Sequence, residues 1–529
     1  MPAPDQVPEA GLPTVADPVP APPAGQAPTR RMRLSPLWQP RHSFVAVVAT
    51  ATNAVAGIRA KVSRRALDVL PPGTLTVGAG LLVLGAGYYA HLAVAGHSLA
   101  APGMAALSVL WSIVFLLGLG VFLPVEQELI RLVAARTAVG EGIAPVVRRA
   151  CGLSGLVLAV ILVPMAAAAR PLADRLFGGD TAMVAVLGCA CVALAVTAVS
   201  RGALAGLASF GGYGAQLAVD GGLRAAMACA LGLAGSHSAV AFGLILTVAP
   251  LLAVVFTLGP LISRVRPGPP LPWGAMSHRL GLLIATMLLA QVLMNAAVIS
   301  VRVLSPGSPA VVGALLAAAV LARVPLFVFT SLQTSLLPGL AGAIAAGDRA
   351  RFRRLLRRSC AVVVVLGIAG GLLATILGPW LTQVLFGAQP VLGNAAFGWL
   401  AIGTLCYMLA MVLGQGAMAL SRHRDQLLSW VAGVAVLVVI TTGPGQVTTR
   451  VVTAYAAGCA TVALILAVVL LRHSHATGQH AGPRPGDGGT GPGATGGFQG
   501  LRGLGWPQRA ECSPRPATRR ARAWPTTNQ

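Results

Sequence analysis

Apolar stretches bounded by short polar or basic loops dominate the chain between its two tails. They predict spans near residues 72–95, 102–124, 150–169, 181–200, 222–236, 238–259, 280–301, 310–338, 360–379, 391–420, 427–442 and 450–471. Most approach the roughly 20 residues that a helix needs to cross a bilayer; the fifth and eleventh are the shortest. A soluble core of comparable size would break such runs with amphipathic periodicity, so the pattern points to a bilayer rather than to a large globular interior.

Composition agrees. The 529 residues are 56% hydrophobic and only 10% charged, against about 25% charged in soluble domains. The formal charge of +24 could suggest a nucleic-acid partner, but the basic residues lie in the tails and alternate loops rather than on one folded face, so no nucleic-acid partner is expected. Lys and Arg also set orientation. Predicted outer segments hold four, Arg170, Arg175, Arg302 and Arg450, whereas predicted inner loops hold eighteen, with a cluster from Arg349 to Arg358. Both termini are therefore expected in the cytoplasm, which requires an even number of spans.

Residues 1–70 are Pro/Ala-rich and then basic, and residues 473–529 are Gly/Pro/Arg-rich; both read as disordered cytoplasmic tails. Between them the organisation is an N-lobe over 71–259, a cytoplasmic linker over 260–279 and a C-lobe over 280–472. The eight cysteines lie in or beside apolar spans or in the tail, with no metal-ligand or redox spacing.

Short motifs recur in order, about 210 residues apart, as a duplicated lobe requires. Leu123-Pro124 returns as Leu337-Pro338, Leu176-Phe177-Gly178 as Leu385-Phe386-Gly387, and Gly202-Ala203-Leu204-Ala205 as Gly416-Ala417-Met418-Ala419. Further sequence marks are Leu123-Pro-Val-Glu-Gln-Glu128 with Arg131, Gly140-Glu-Gly142, Leu176-Phe-Gly-Gly-Asp180, Arg201-Gly-Ala-Leu-Ala-Gly206, and Arg323-Val-Pro-Leu326 running on to Leu336-Leu-Pro338. In these features, over roughly residues 72–472, the chain resembles the multidrug/oligosaccharidyl-lipid/polysaccharide exporter superfamily, in its polysaccharide-flippase branch. The resemblance implies an all-α, MATE-like polytopic membrane protein of about twelve transmembrane helices in two six-helix lobes. It also implies reorientation of a polyprenyl-pyrophosphate-linked oligosaccharide by alternating access in a bacterial cytoplasmic membrane. The partners implied are that lipid-linked glycan, membrane lipids, and a polysaccharide polymerase or glycosyltransferases.

Charge within a bilayer is expensive and marks candidate sites. Arg323 lies about 20 Å into the eighth predicted span, and its guanidinium suits phosphate oxygens; the competing reading is a structural arginine bonded to carbonyls. Gln291, Asn295 and Arg302 share one face of the seventh span by their spacing and are read as cavity lining, although Arg302 could instead snorkel to the interface. Glu126, Glu128 and Arg131 form a candidate gate or, more simply, a solvated turn. Pro325 and Pro338 are candidate hinges. Tyr88, Tyr89 and His91 read as packing aromatics, and Gly78, Gly80, Gly85, Gly87, Gly118 and Gly120 as points of close helix packing.

All fourteen acidic residues are expected in tails, loops or span ends, and residues 221–347 carry none. An arginine-bearing interior without carboxylates would prefer an anion over a cationic drug. With no P-loop, HExxH or GxSxG pattern, neither a cofactor nor enzymatic activity is expected. The alternatives to a flippase are a MATE-type small-molecule exporter and a non-transporting membrane scaffold of a glycan assembly complex.

Overall fold

A computed structural model describes residues 74–272, 274–323 and 346–476, with isolated positions between 324 and 345. Residues 1–70 and the C-terminal tail beyond 476 lie outside the described residues, as do the candidate hinges Pro325 and Pro338. The described elements are α1 (Thr74–Ser98), α2 (Ala101–Leu117), a π-helical turn (Gly118–Phe122), α3 (Leu123–Ala138), α4 (Ala144–Ala167), α5 (Ala169–Leu176), α6 (Thr181–Gly206), α7 (Phe210–Leu233), α8 (Ala239–Ile262), α9 (Gly274–Leu304), α10 (Pro309–Ala322), α11 (Arg349–Phe386), α12 (Asn394–Ala419), α13 (His423–Thr442) and α14 (Val447–Ala476).

Among the described residues, ten helices are long and apolar enough to cross a membrane, with α2, the π-turn and α3 counted as one, and α10 is a shorter apolar one. Helix α7 has the length but interrupts its apolar sequence with Asp220 and Arg224. The chain is a multi-pass helical membrane protein. Helices α4 and α11 show why: Leu156, Val160, Val163, Val365, Leu372 and Ile376 stand exposed on their flanks, a lateral apolar surface that water would not tolerate.

Helix starts follow local chemistry. Asp180 accepts a hydrogen bond from Ala182 N at 2.9 Å to open α6, and Asp348 accepts one from Arg351 N at 2.8 Å to open α11. Pro145 sits in the first turn of α4, which places that helix's start before the predicted residue 150. At Pro124, however, the expected end of the second span is corrected. The helix continues to Ala138 because the π-turn precedes the proline: Leu123 N donates five residues back to Gly118 O. The wider turn gives room to a ring that would clash with a regular α-turn.

Two of the three duplicated motifs occupy matching places, and the third, Leu337-Pro338, lies outside the described residues. Gly178 and Gly387, which follow Leu176-Phe177 and Leu385-Phe386, have φ of +69° and +58° and end α5 and α11 in the left-handed conformation that glycine favours. After Gly202–Ala205 and Gly416–Ala419 the chain turns through Ala208 and Ser421, the two non-glycine residues with positive φ among the described residues, at 54° and 59°.

Helices α1 and α7 pack backbone to backbone. A Cβ on Gly80 or Gly87 would collide with the backbone of Gly214 or Gly221, whereas Gly78 faces open space, which corrects its predicted role in packing. Gly87→Ala is therefore expected to cost about 1–3 kcal/mol by forcing the backbones apart. Gly78→Ala should instead stabilise by roughly 0.5–1 kcal/mol through helix propensity. Thermal unfolding of the two variants in detergent checks this, and shifts of the same sign would contradict the packing.

Most of the arginines lie at one end of the bundle. The basic end carries loops 139–143, 207–209, 263–272 and 420–422; there Arg136 donates to the carbonyls of Pro269 and Pro270, and Arg149 to Leu271 O at 3.2 Å. These bonds pin the inter-lobe linker onto the N-lobe. At the opposite end the lobes meet: α2 packs on α9 and α10 and Gly96 abuts the backbone of Phe386; deeper in the bundle the Tyr89 hydroxyl donates to Val320 O at 3.1 Å.

Candidate functional site

Each lobe encloses a polar cluster. In the C-lobe, Arg323 caps α10, whose 14 residues place it about 21 Å from the end where the lobes meet, at 1.5 Å per residue. Its guanidinium donates to the carbonyl of Met294 and, at 3.3 Å, to Asn295 Oδ1. Asn295 Nδ2 donates in turn to the backbone and side-chain oxygens of Gln291 at 3.0 and 3.3 Å, and Gln291 Nε2 reaches the Tyr407 hydroxyl at 3.5 Å. The Tyr455 hydroxyl, 3.3 Å from Thr404 Oγ1, completes the shell. Arg323 is only partly buried and has no carboxylate partner among the described residues. Donors of this kind in a sheltered site favour an oxyanion.

The structure thus brings Arg323, Asn295 and Gln291 together but leaves Arg302 out. Arg302 lies near the end of α9, buried, and its Nε donates to Leu176 O at 3.0 Å across the seam between the lobes. It caps the C-terminus of α5, where the helix dipole favours a cation. Arg302→Ala is expected to loosen this end. Cysteines placed at His97 and Ala388, beside that contact, would then cross-link less readily than with Arg302 in place, and unchanged cross-linking would count against a latch.

The N-lobe cluster overturns the expectation of an acid-free interior. Helix α7 begins at Phe210 rather than near 222, so Asp220 lies in its middle at 1% exposure. Arg201 and Arg224, which the loop count treats as inner-loop charges, are instead drawn into the bundle, each donating to Asp220 at 2.9 Å. Arg224 also lies over the Tyr88 ring, 4.6 Å from its centroid. Burial of one carboxylate is thus offset by two guanidiniums and a π-face. A signal for it existed: Gln216, Asp220 and Arg224 recur every four residues, a stripe of the kind read in Gln291 and Asn295.

The candidate gate resolves within one lobe. Glu126 and Glu128 are buried in α3 rather than in a solvated turn. Glu128 pairs with Arg131, which donates from Nε at 2.9 Å, and Glu126 accepts from the Tyr213 hydroxyl at 3.0 Å. None of the three bridges the lobes through these bonds. His91 is packed between Trp111 and Phe242, with ring centroids at 5.4 and 6.1 Å, as a packing residue would be.

The architecture matches solved MATE transporters. It aligns with an inward-facing multidrug resistance MATE family transporter of the MOP superfamily at a TM-score of 0.61 and 12% identity, covering 75% of this chain and 96% of that one. An outward-facing form gives 0.51. The Vibrio cholerae MATE transporter VcmN gives 0.54 at 14% identity, over 81% of this chain and 98% of VcmN. No family model matches the chain. In sequence it is 30% identical over 322 residues to the uncharacterized protein Rv1510 of Mycobacterium tuberculosis, covering 58% of this chain and 70% of that protein. The chain belongs to the family of Rv1510. A second relative, the uncharacterized protein Rv3630 of the same organism, matches at 30% identity over 120 residues, 22% of this chain and 27% of that protein. This Rv1510-family member therefore combines a bacterial family with the fold of the MATE transporters of the MOP superfamily.

Proposed function

We propose that the protein is a membrane transporter that moves a polyprenyl-pyrophosphate-linked oligosaccharide from the cytoplasmic to the outer leaflet of a bacterial cytoplasmic membrane, by alternating access between its lobes. The observation that carries this reading is Arg323: a half-buried arginine at mid-bundle depth, flanked by amide and phenol groups, with no carboxylate partner among the described residues. The amides and phenols offer hydrogen bonds to sugar hydroxyls, and the guanidinium complements a pyrophosphate. The MATE fold and the repeated motifs supply two lobes that can rock against each other. The basic end faces the cytoplasm in this scheme, and the seam held by Arg302 closes the outer face, in keeping with the higher score against an inward-facing relative. Deleting the gene is expected to trap lipid-linked glycan in the cytoplasmic leaflet and stop its export; continued export under conditions where the glycan is made would refute the proposal.

A MATE-type small-molecule exporter is the second reading, and Asp220 and Glu126 favour it. Buried carboxylates suit cations and proton coupling, and the sequence-based argument against that branch rested on their absence. Against it, Asp220 is held by two arginines and is not free to accept a cation. Proton- or sodium-dependent efflux of small cations, without effect on lipid-linked sugars, would select this alternative.

A further inference from the structure

Helix α11 is 38 residues long and contains no acidic residue. Its first ten residues hold six arginines, of which Arg351, Arg353, Arg354, Arg357 and Arg358 are exposed and form no ion pair among the described residues. Asp348, just before the helix, is occupied as its N-cap. The direction of this face is set by what packs behind it: Phe352, Ser359 and Val363 are buried, and Gly367, Gly371 and Gly378 lie against Leu405, Ala401 and Phe397 of α12.

At 100° per residue, Arg354 and Arg358 fall on the same line along the helix as Val365, Leu372 and Ile376, which are 69%, 60% and 67% exposed. The arginines therefore do not point back into the bundle. They continue, toward the basic end, the stripe that higher up can only face acyl chains. The first large exposed apolar residue of the helix, Val362, is about 6 Å above Arg358 and about 16 Å above Arg351 by helical rise, which is headgroup depth.

We propose that this face of α11 is a binding surface for the phosphates of anionic phospholipids of the phosphatidylglycerol class, independent of the transported substrate. Charge complementarity carries the choice: five exposed guanidiniums at headgroup depth, with no ion pair among the described residues and no acid on their helix, match phosphate oxygens. The proposal stands whether the protein is a flippase or an exporter.

The test uses the full chain in lipid nanodiscs containing spin-labelled phosphatidylglycerol or spin-labelled phosphatidylcholine, reading the fraction of each lipid immobilised at the protein. Substituting Arg353→Gln, Arg354→Gln, Arg357→Gln and Arg358→Gln together is expected to lower the preference for phosphatidylglycerol roughly tenfold or more. The same four positions changed to lysine should keep most of it, which also reports on folding. An equal-charge control, Arg264→Gln, Arg266→Gln, Arg422→Gln and Arg424→Gln, removes four cations elsewhere at the same end and should change it little. Undiminished preference in the first variant, or equal loss in the control, would overturn the proposal. Displacement of phosphatidylglycerol from the unaltered protein by a stoichiometric short-chain polyprenyl pyrophosphate would also overturn it, by reassigning the face to substrate.

Discussion

Asp220→Ala is expected to be among the most destabilising single substitutions in the N-lobe, costing about 3–5 kcal/mol. The carboxylate is 1% exposed and its two oxygens accept from Arg201 and Arg224, themselves largely withdrawn from solvent. Its removal leaves two guanidiniums buried on α6 and α7, with the Tyr88 ring over Arg224. Asp220→Asn keeps the shape but gives up the charge, and should be only slightly milder. Replacing all three residues together, Arg201→Met, Asp220→Leu and Arg224→Met, should recover much of the loss, because a balanced apolar interior avoids stranded charge. Thermal unfolding of the four proteins in one detergent reads the order. If Asp220→Ala unfolds within a degree or two of the unaltered protein, the triad is not a buried electrostatic unit.

Arg323→Ala is expected to act in the opposite way, sparing the fold and removing function. The side chain is bonded to one carbonyl and one amide and carries no salt bridge among the described residues, so its loss strands only neutral, polar groups. A hydrogen bond to a charged partner contributes about 1.5–3 kcal/mol, so loss of a pyrophosphate contact should slow transport by roughly ten- to hundredfold. Arg323→Lys keeps the charge without the fork and should fall between. An Arg323→Ala protein that unfolds with its activity per folded molecule intact would mark the residue as structural, as its bond to Met294 O also allows.

Much of this architecture can be read from the chain. Apolar runs place most helices because the bilayer imposes a length, and Pro145, Asp180 and Asp348 mark helix starts through local bonding that needs no tertiary context. The Leu-Phe-Gly motifs are legible because a left-handed helix end demands glycine wherever it occurs. The C-lobe stripe is also visible, since Gln291 and Asn295 interrupt an otherwise apolar span at one-turn spacing, and the Tyr407 that joins them comes from another helix, which no local pattern can announce. The N-lobe triad escapes a hydropathy reading for a physical reason. Its own charges depress the apolar signal of α7, so the span is pushed past Asp220 to the next apolar run and the carboxylate is read as loop. Charges that neutralise one another look, one at a time, like solvent-exposed residues. Pro124 misleads similarly: a proline ends a helix only if the turn before it is regular, and the π-turn at Gly118–Phe122 is not. Arg302 shares the spacing of the stripe yet leaves it, because a helix C-terminus in the other lobe offers it a better partner than the cavity does.

The most direct test of the transport proposal is reorientation of a fluorescent polyprenyl-pyrophosphate oligosaccharide in liposomes that hold the purified protein, alongside liposomes that hold Arg323→Ala. Protein-dependent movement of the label between leaflets, strongly reduced in the folded variant, is the expected result. Absence of movement in folded, unaltered protein across several sugar head groups and ion gradients, or equal movement in both proteins, would contradict it.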